Sequence, residues 1–502
     1  MTVVRNRDSV MAVTVESTEG TPVVPSAAGE YIAMQDDVSM SPNSETLTNA
    51  EIKSSLGPSQ PITGRETASA SFSHYLKHSG TEGVASEMDE LLTAAFGSEE
   101  VESTEYDTVA GSTVSVVNVD SGEGANYARG QGLLVKDATN GYSVRNVQSI
   151  SSDALTLGFD LSNAPGTGVN LGKAVFYSPA DSGHQTLSLW HYLGNAGAIQ
   201  MLSGARVTQF GFTCEPGSLI NANFSMEGLK YHFNPITIDA DDIYIDWTDD
   251  QGTAAATITA KTYKDPHELA GAIQSAMNAQ TTETITVTYS NTTGKFTIAA
   301  TGVLFSLLWN TGTNAANTVG DAIGFSVAAD DTGALTYTAD SAISYAAAHT
   351  PSYDSSQPLK GYYQEVLLGD SDDVACLSAS SVSVTMDTPR QAFDDICNEA
   401  GWSNSIINAR NVTISITALL EQYEADKFRK FRENEDTRFC LNVGQKDDQG
   451  NWTAGTVCNF YVPTGVISSF NLTDQDGLIA VEMELQAYVD SSGNGEVYLN
   501  ML

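Results

Sequence analysis

A clearly alternating stretch at residues 205–233 constrains the fold more than any other part of the chain. It reads ARVTQFGFTCEPGSLINANFSMEGLKYHF. Apolar side chains recur at every second position on both sides of Pro216 and Gly217, and these two residues are typical of a tight turn. Because successive side chains of a strand point to opposite faces, the stretch predicts a β-hairpin with one apolar face and one small, polar face.

The same alternation returns later, as LSASSVSVTMDT at residues 377–388 and RNVTISITALLE at residues 410–421. The composition between the hairpin and these segments is different, and residues 234–352 carry a helix signal. We therefore interpret the hairpin and the later strands as two halves of one antiparallel sheet system that is interrupted by an insertion.

The insertion contains the clearest helix signal in the sequence. Asp265 is a typical N-cap residue, Pro266 occupies the first helical position, and Glu268 completes a capping box. An apolar stripe follows at every fourth position, formed by Leu269, Ile273 and Met277. Together with the strand-like segments on both sides of this helix, the pattern predicts an α+β unit.

Further elements are predicted outside the insertion. Three helices are expected, at residues 86–96, 389–400 and 421–434. Residues 99–182 contain short apolar segments separated by Gly and Asn, which is typical of a small β-barrel or sandwich. Residues 1–63 are rich in Ser, Thr, Pro and Asp, and they are predicted to form an arm with one or two short strands.

The charge of the chain excludes one large class of function. It has 62 acidic and 23 basic residues and a formal net charge of −39. Tight binding to nucleic acid requires many Lys and Arg contacts to phosphates. A protein that binds nucleic acid through its phosphate groups is therefore disfavoured. The five cysteines form no C-x-x-C pair, which favours buried thiols in a reducing compartment over a zinc site or a disulfide framework.

The sequence offers no catalytic, cofactor-binding or metal-binding residue. It contains no G-x-x-x-x-G-K, H-E-x-x-H or G-x-S-x-G motif. The best calcium-like loop, at residues 447–451, lacks the glutamate at the twelfth position. No apolar run is long enough for a signal peptide or a membrane span, so we expect a protein that is made and folded in the cytosol.

The most informative pattern is a polar face on four strand-like segments. Its members are small, amide or acidic side chains, and none is Lys or Arg. The candidate positions are Asn221, Asn223, Ser225, Glu227, Ser381, Ser383, Thr385, Asp387, Asn411, Thr413, Ser415, Thr417, Glu482, Glu484 and Gln486. From the residues alone, an ordinary solvated sheet face and the wall of a passage are both compatible with this pattern.

The order of the segments and their residue patterns resemble those of a known family. The resemblance begins with TEGTPVVPSAAGEYIAMQDDVSMSPNSETL, continues through GPSQPITGRETASASFSHYLKHSGTEG and DELLTAAFG, and includes the hairpin and residues 374–489. In these segments the chain resembles the tail tube (major tail) protein of long, non-contractile-tailed bacteriophages. The resemblance implies a mainly β fold, with a core of antiparallel sheets, flanking helices, a small β-barrel-like unit and an inserted α+β unit.

The resemblance also implies a structural function. Subunits would form hexameric rings, the rings would stack, and DNA would pass without specific binding through a bore that the fifteen polar positions line. The implied partners are further copies of the chain, a tape-measure protein, and tail terminator and tip proteins. The implied location is the virion tail, assembled in the host cytoplasm. Assembly contacts are expected in the N-terminal arm and residues 34–64, with residues 494–502 as a second choice.

The predicted division of the chain follows from these readings. It comprises an N-terminal arm and the start of the tube core at 1–98, a barrel-like unit at 99–182, a core hairpin at 183–233, an inserted outer unit at 234–352 and the second half of the core at 353–502. Two alternatives stay open: a surface-binding adhesin built of β-modules, which would need export, and a carbohydrate-active tail protein. The second would need a cleft lined by Trp and Tyr, whereas the five Trp are scattered along the chain.

Overall fold

A computed structural model describes residues 4–51, 53, 56–194, 197–398, 401–420, 425–475, 477–490 and 495–502. The predicted mainly β fold class is confirmed, because antiparallel strands dominate and helices are few and short. The helices are α1 (Asp89–Phe96), α2 (Pro266–Asn278) and α3 (Ala425–Glu433), with 3-10 turns at Asn6–Asp8, Ala28–Glu30, Glu123–Asn126 and Ala315–Asn317. Among the described residues, no helix combines the length and the apolar character that a membrane span requires.

The strands are numbered in chain order. Those before the insertion are β1 (Val10–Val15), β2 (Tyr31–Ile32), β3 (Ser39–Leu47), β4 (Ile62–Tyr75), β5 (Gly97–Glu102), β6 (Val116–Asn118), β7 (Gly132–Asp137), β8 (Gly141–Ser151), β9 (Ala154–Leu157), β10 (Ala174–Pro179), β11 (Leu187–Leu193), β12 (Ala198–Cys214), β13 (Asn221–Gly228) and β14 (Lys230–Phe233). Those of the insertion are β15 (Ile236–Ile238), β16 (Tyr244–Asp249), β17 (Gly252–Thr257), β18 (Lys261–Tyr263), β19 (Ile285–Ser290), β20 (Lys295–Ala300), β21 (Phe305–Leu307), β22 (Asp331–Ala334) and β23 (Thr336–Thr338).

The remaining strands follow the insertion. They are β24 (Glu365–Gly369), β25 (Ala379–Asp387), β26 (Arg390–Asp394), β27 (Trp402–Ile407), β28 (Asn411–Leu419), β29 (Asp436–Val443), β30 (Cys458–Gln475), β31 (Leu478–Ala487) and β32 (Tyr498–Met501).

One large sheet unites the two ends of the chain. Its antiparallel path runs β3–β4–β13–β12–β25–β28–β31–β30, and the strands β1, β2, β5, β10, β11, β14, β24, β29 and β32 extend it further. The predicted hairpin meets the later strands directly, because Phe212 of β12 lies opposite Val384 of β25. Their apolar side chains form one buried core in which Phe210, Phe212 and Phe224 are almost fully buried.

The strands of the insertion pair only with one another in the part of the chain that the structure describes. They enclose a separate apolar core that contains Trp247, Trp309 and Phe296. Helix α2 begins as predicted, because Oδ1 of Asp265 accepts a hydrogen bond from the backbone N–H of Glu268 at 2.9 Å. This capping satisfies a donor at the helix start that would otherwise have no partner within the helix.

A small four-stranded sheet, in the order β6–β9–β8–β7, has its own apolar cluster around Val117, Val147 and Leu157. It is narrower than the predicted unit at 99–182. The reason is that β5 and β10, near the ends of that range, pair with each other in the large sheet, with Val175 opposite Val101.

Other local predictions need correction. The sequence predicts a helix at residues 389–400, but β26 and β27 form a hairpin in which Arg390 lies opposite Ile407. Residues 399 and 400 lie outside the described residues. The helix expected at 421–434 spans Ala425–Glu433, and residues 421–424 lie outside the described residues. Part of the N-terminal arm belongs to the core, since Ala12 is fully buried in β1. Strand β32 is buried between β10 and β30, so most of residues 494–502 cannot form a free assembly arm.

Candidate assembly and conduit surface

The predicted polar positions lie on one side of the large sheet. They are on β13, β25, β28 and β31, and the registers align them in rows across the strands. In one row Thr385 lies opposite Thr413, and Thr413 lies opposite Gln486. The neighbouring row joins Ser383, Ser415 and Glu484 in the same way. We call this surface the polar face.

The apolar neighbours of these positions are buried, whereas the fifteen residues themselves are not. The pattern follows from alternation, because each strand turns every second side chain towards the apolar core. The exposed members are Asn223, Glu227, Asn411, Ser415, Glu482, Glu484 and Gln486. The half-buried members are Asn221, Ser225, Ser381, Ser383, Thr385, Asp387, Thr413 and Thr417.

Strand β12 also belongs to the polar face, although none of the fifteen predicted positions lies on it. Gln209 donates a hydrogen bond to Oδ1 of Asp387 at 2.7 Å, and the hydroxyls of Thr213 and Ser383 lie 3.0 Å apart. Gly211 stands between Asn223 and Thr385. The sequence contains a signal for this, because Gln209, Gly211 and Thr213 alternate with the buried phenylalanines of β12.

Strands β4 and β30 widen the polar face at its two sides. The hydroxyl of Ser73 on β4 donates to Oδ1 of Asn223 at 2.8 Å. Ser71 lies opposite Ser225, and on β30 Asn471 lies opposite Glu482. The alternation of β4 was visible in the sequence, but only the pairing of strands distant in sequence shows that it continues the same surface.

Lys and Arg occur at one end of the polar face only. This statement covers the described residues of the eight strands β3, β4, β13, β12, β25, β28, β31 and β30. Arg206 lies opposite Glu227, and its Nη2 is 2.9 Å from a carboxylate oxygen of Glu19. Next to it, burial lowers the pKa of Arg390, while the charges of Glu19 and Glu227 raise it. The guanidinium of Arg206 is therefore neutralised by a protein carboxylate, whereas Nε and Nη2 of Arg390 are buried without a hydrogen-bond partner.

Two hairpins extend beyond that end of the polar face. They are β3–β4 and β26–β27, and Arg65 joins them, with Nη1 2.6 Å from Asp394 and the guanidinium 4.5 Å from the centre of the Trp402 ring. We call this pair of hairpins the hairpin lobe. Its exposed apolar residues are Leu47, Leu56, Ile62, Phe393, Ile396 and Ile406.

A second apolar surface lies at the opposite end of the polar face, around the β30–β31 turn and α3. Strand β28 runs from one end to the other, since Asn411 lies opposite Asp387 whereas the N–H of Leu420 donates to the carbonyl of Ile479. We call this surface the turn patch. Its exposed residues are Leu420, Phe428, Leu472, Leu478 and Ile479.

One group of carboxylates has the spacing of a cation site. Oxygens of Asp370, Asp373 and Asp426 lie within 4.8 Å of one another. The ammonium of Lys430, however, is 2.7 Å from a carboxylate oxygen of Asp370 and already supplies positive charge there. We therefore assign no metal to this cluster.

Comparison with known proteins gives one family match. A family model described as "Phage tail tube protein" matches residues 6–274. A chain from a solved structure titled "Virion of native gene transfer agent (GTA) particle" is 15% identical, and the match covers 25% of this chain and 92% of that chain. Its TM-score of 0.18 is too low to support a structural argument. No curated protein matches the chain at a significant level.

Proposed function

Because this chain belongs to the phage tail tube protein family, we propose that its copies close into hexameric rings, that the rings stack, and that the polar face lines a bore for DNA. The family makes the chain a structural subunit of a virion tail. Beyond this family role, we propose that the subunits form a ring, that the rings stack in one direction, and that DNA passes along the polar face.

The observation that carries the proposal is the continuity of the polar face. Hydroxyl, amide and carboxylate side chains cover adjacent strands from β4 to β30, and Arg206 at one end of this face is paired with Glu19. Duplex DNA carries one negative charge per about 1.7 Å of its axis, and it binds proteins mainly through Lys and Arg. A wall of this composition repels DNA at distances below about 8–10 Å and offers it no tight contact.

Ring closure is proposed to use the free edges of the large sheet. Strand β3 pairs only with β4 among the described strands, and residues 467–475 of β30 pair only with β31. Each edge therefore has backbone N–H and C=O groups with no strand beside them. Pairing of one edge with the other edge of the next subunit satisfies these groups and removes an aggregation hazard.

Stacking is proposed to use the hairpin lobe and the turn patch. They differ in shape and lie at opposite ends of the polar face, so a contact between them is heterologous and repeats from subunit to subunit. The hairpin lobe includes most of residues 34–64, for which the resemblance implies assembly contacts. A column of subunits joined in this way keeps every polar face on the same side.

The other parts of the proposal follow from this arrangement. The insertion, at 234–352, is proposed to lie outside the wall, and the separation of its strands from the large sheet among the described residues supports this placement. A tape-measure protein is proposed to occupy the bore before DNA does, and terminator and tip proteins are proposed to cover the two ends. Assembly would take place in the host cytoplasm.

Electron microscopy of the purified protein at high concentration tests the proposal. We expect rings or tubes with a central channel, and cross-links between cysteines placed at residues 43 and 471 of adjacent subunits. A protein that stays monomeric under all conditions, or tubes whose polar face points outward, would overturn it.

A further inference from the structure

The two halves of the large sheet share one topology. Before the insertion, four strands lie in the order β3–β4–β13–β12, and after it four strands lie in the order β25–β28–β31–β30. In each half the first two strands along the chain are neighbours, and the third lies beyond the fourth. The surrounding elements correspond as well. Strand β1 pairs with β11 as β24 does with β29, β11 and β14 pair with β12 as β29 and β32 do with β30, and α1 packs against β12 as α3 does against β30. We call these two sets of elements the first and the second repeat.

The correspondence extends to single residues. The register between β12 and β13 shifts at Thr208, and that between β30 and β31 shifts at Ser468. At both shifts a hydroxyl donates to a carbonyl of the neighbouring strand at 3.1 Å, from Thr208 to Ser225 and from Ser468 to Glu484. Thr208 and Ser468 therefore occupy equivalent positions, and so do Ser225 and Glu484.

The rows of paired residues carry this equivalence across both repeats. In the first repeat one row consists of Ser225, Ser71 and Ser39. In the second repeat the equivalent row consists of Glu484, Ser415 and Ser383. Ser39 of β3 is therefore equivalent to Ser383 of β25. Thr213 and Thr473 are equivalent too, because each lies five residues after its β-bulge.

The repeats join each other through β12 of the first and β25 of the second. Thr213 lies opposite Ser383 there, and their hydroxyl oxygens are 3.0 Å apart. The equivalents of these two strands are free at the ends of the sheet. Among the described strands, β3 pairs only with β4, and residues 467–475 of β30 pair only with β31. Each chain thus contains one complete contact between repeats and the two separate halves of another.

On the basis of the ring proposed above, we propose that the next copy of the chain completes this second contact, with β30 in the place of β12 and the neighbour's β3 in the place of β25. The equivalent positions set its register. The polar pairs are Thr473 with Ser39, Asn471 with Ser41, and Ser469 with Asn43, and the apolar pair is Leu472 with Met40.

The direction of the strands agrees with this contact. The eight strands of the path alternate in direction, so β3 of a copy related by rotation about the bore runs antiparallel to β30, as β25 does to β12. Polar positions meet polar positions, and the polar face continues from one copy to the next. The register involves two strands only and is independent of the number of chains in the ring.

A proline removes one hydrogen bond from the contact between chains and leaves the others. Thr388, directly after β25, donates its N–H and its hydroxyl to carbonyls of β12. Ser44 occupies the equivalent position of β3 and has the same two donors. Pro42, two residues earlier and on the same side of the strand, has no N–H. The contact between chains therefore has one backbone donor fewer than the contact inside the chain.

The experiment uses full-length chains in which the exposed Cys376 and Cys397 are replaced by serine, and it compares cysteine pairs. S39C/T473C joins positions that are opposite each other across the contact between chains, where Cα atoms about 4.5–5.5 Å apart suit a disulfide. S39C/S469C keeps the cysteine on β3 and displaces the other by four residues, or about 13 Å along the strand. T213C/S383C is the equivalent pair inside the chain.

Under mild oxidation at concentrations at which tubes form, S39C/T473C should give covalently linked chains, at least about tenfold more than S39C/S469C. Below that concentration neither variant should link chains. T213C/S383C should form its disulfide within one chain at both concentrations. S41C/N471C is a second matched pair, for use if S39C/T473C itself prevents assembly.

Tubes in which the matched pairs do not link, or in which S39C/S469C links as well, would overturn the register and leave the tube function standing. A protein that forms no tubes at any concentration would overturn the ring and this contact together. A T213C/S383C variant that forms no disulfide would show that the contact inside the chain cannot serve as the model for the contact between chains.

Discussion

Asn146 of the small sheet and Asn459 of the large sheet exchange two hydrogen bonds. Nδ2 of Asn146 donates to Oδ1 of Asn459 at 2.6 Å, and Nδ2 of Asn459 donates to Oδ1 of Asn146 at 3.0 Å. Both side chains are fully buried, and the amides of Asn442 and Asn500, on the strands beside β30, complete a ladder. The small sheet is thus fixed to the large one by a polar network with satisfied partners.

The first prediction concerns this ladder. Asn459→Leu should destabilise the protein by about 2–4 kcal/mol, because several buried amide groups lose their partners at once. Chemical denaturation measures the change. Asn471→Leu, an exposed position on the same strand, is the control and should change stability by less than about 0.5 kcal/mol. Similar values for the two variants would contradict a role of the ladder in stability.

The second prediction concerns a buried carboxylate near the end of β4. Glu87 is 2.6 Å from Nε2 of His74 and 3.3 Å from Nζ of Lys77, and it accepts the backbone N–H of Asp354 at 2.9 Å. Burial raises the pKa of Glu87, but the contacts with His74, Asp354 and Lys77 outweigh it and leave the pKa below its usual value near 4.5. A lowered pKa means that the ionised form stabilises the fold at higher pH.

This stabilisation should be present above about pH 4.5 and should be lost as the pH falls through the lowered pKa. Glu87→Gln should therefore cost about 1–3 kcal/mol at pH 7, and the cost should shrink in acid. Thermal unfolding as a function of pH measures both. Glu482→Gln, at an exposed position of the polar face, serves as the control. A cost for Glu87→Gln that does not vary with pH would refute the assignment.

The third prediction tests the conduit. Ser415→Lys places a cation in the middle of the polar face without disturbing the core, because Ser415 is exposed. Tubes should still form, but passage of DNA in assembled particles should slow and should recover as salt is raised, since the lysine attracts phosphates. Ser415→Gln, which has a comparable length and no charge, is the control. Unchanged passage in the lysine variant would argue against a bore at this face.

The fourth prediction tests the direction of stacking. Leu56→Asp in the hairpin lobe and Leu478→Asp in the turn patch should each prevent tubes while leaving the monomer folded, because both side chains are exposed. A mixture of the two variants should form short complexes at most. One variant retains an intact turn patch and the other an intact hairpin lobe, so each can make only one stacking contact. Leu304→Asp, at a site on the insertion that is exposed to nearly the same extent as Leu478, should form normal tubes. Electron microscopy and sedimentation distinguish the outcomes.

The fifth prediction concerns the insertion as a folding unit. Residues 234–352 expressed alone should fold, because their apolar core is their own. In this fragment Asp265→Ala should cost about 1 kcal/mol through loss of the helix cap. Asp241→Ala, at an exposed position without a capping role, is the control. A fragment with no cooperative thermal transition would show that the insertion depends on the large sheet.

Local patterns of the sequence were enough for much of this description. Period-two alternation predicted the hairpin and the polar positions, and the capping residues predicted the start of α2 at Asp265. These signals are local, because a strand or a cap depends on residues only a few positions apart. Residues 389–400 show the limit of this reasoning: the local pattern predicts a helix there, but Arg390–Asp394 form a strand that pairs with β27 near Arg65.

Only the tertiary structure decided which strands share a surface. The pairing of β12 with β25 joins residues 168 to 178 positions apart, and no local pattern specifies such a partner. The same holds for the contact of Asn146 with Asn459. Sequence alternation determined which side of each strand is polar, whereas long-range strand pairing determined that these sides form one continuous face.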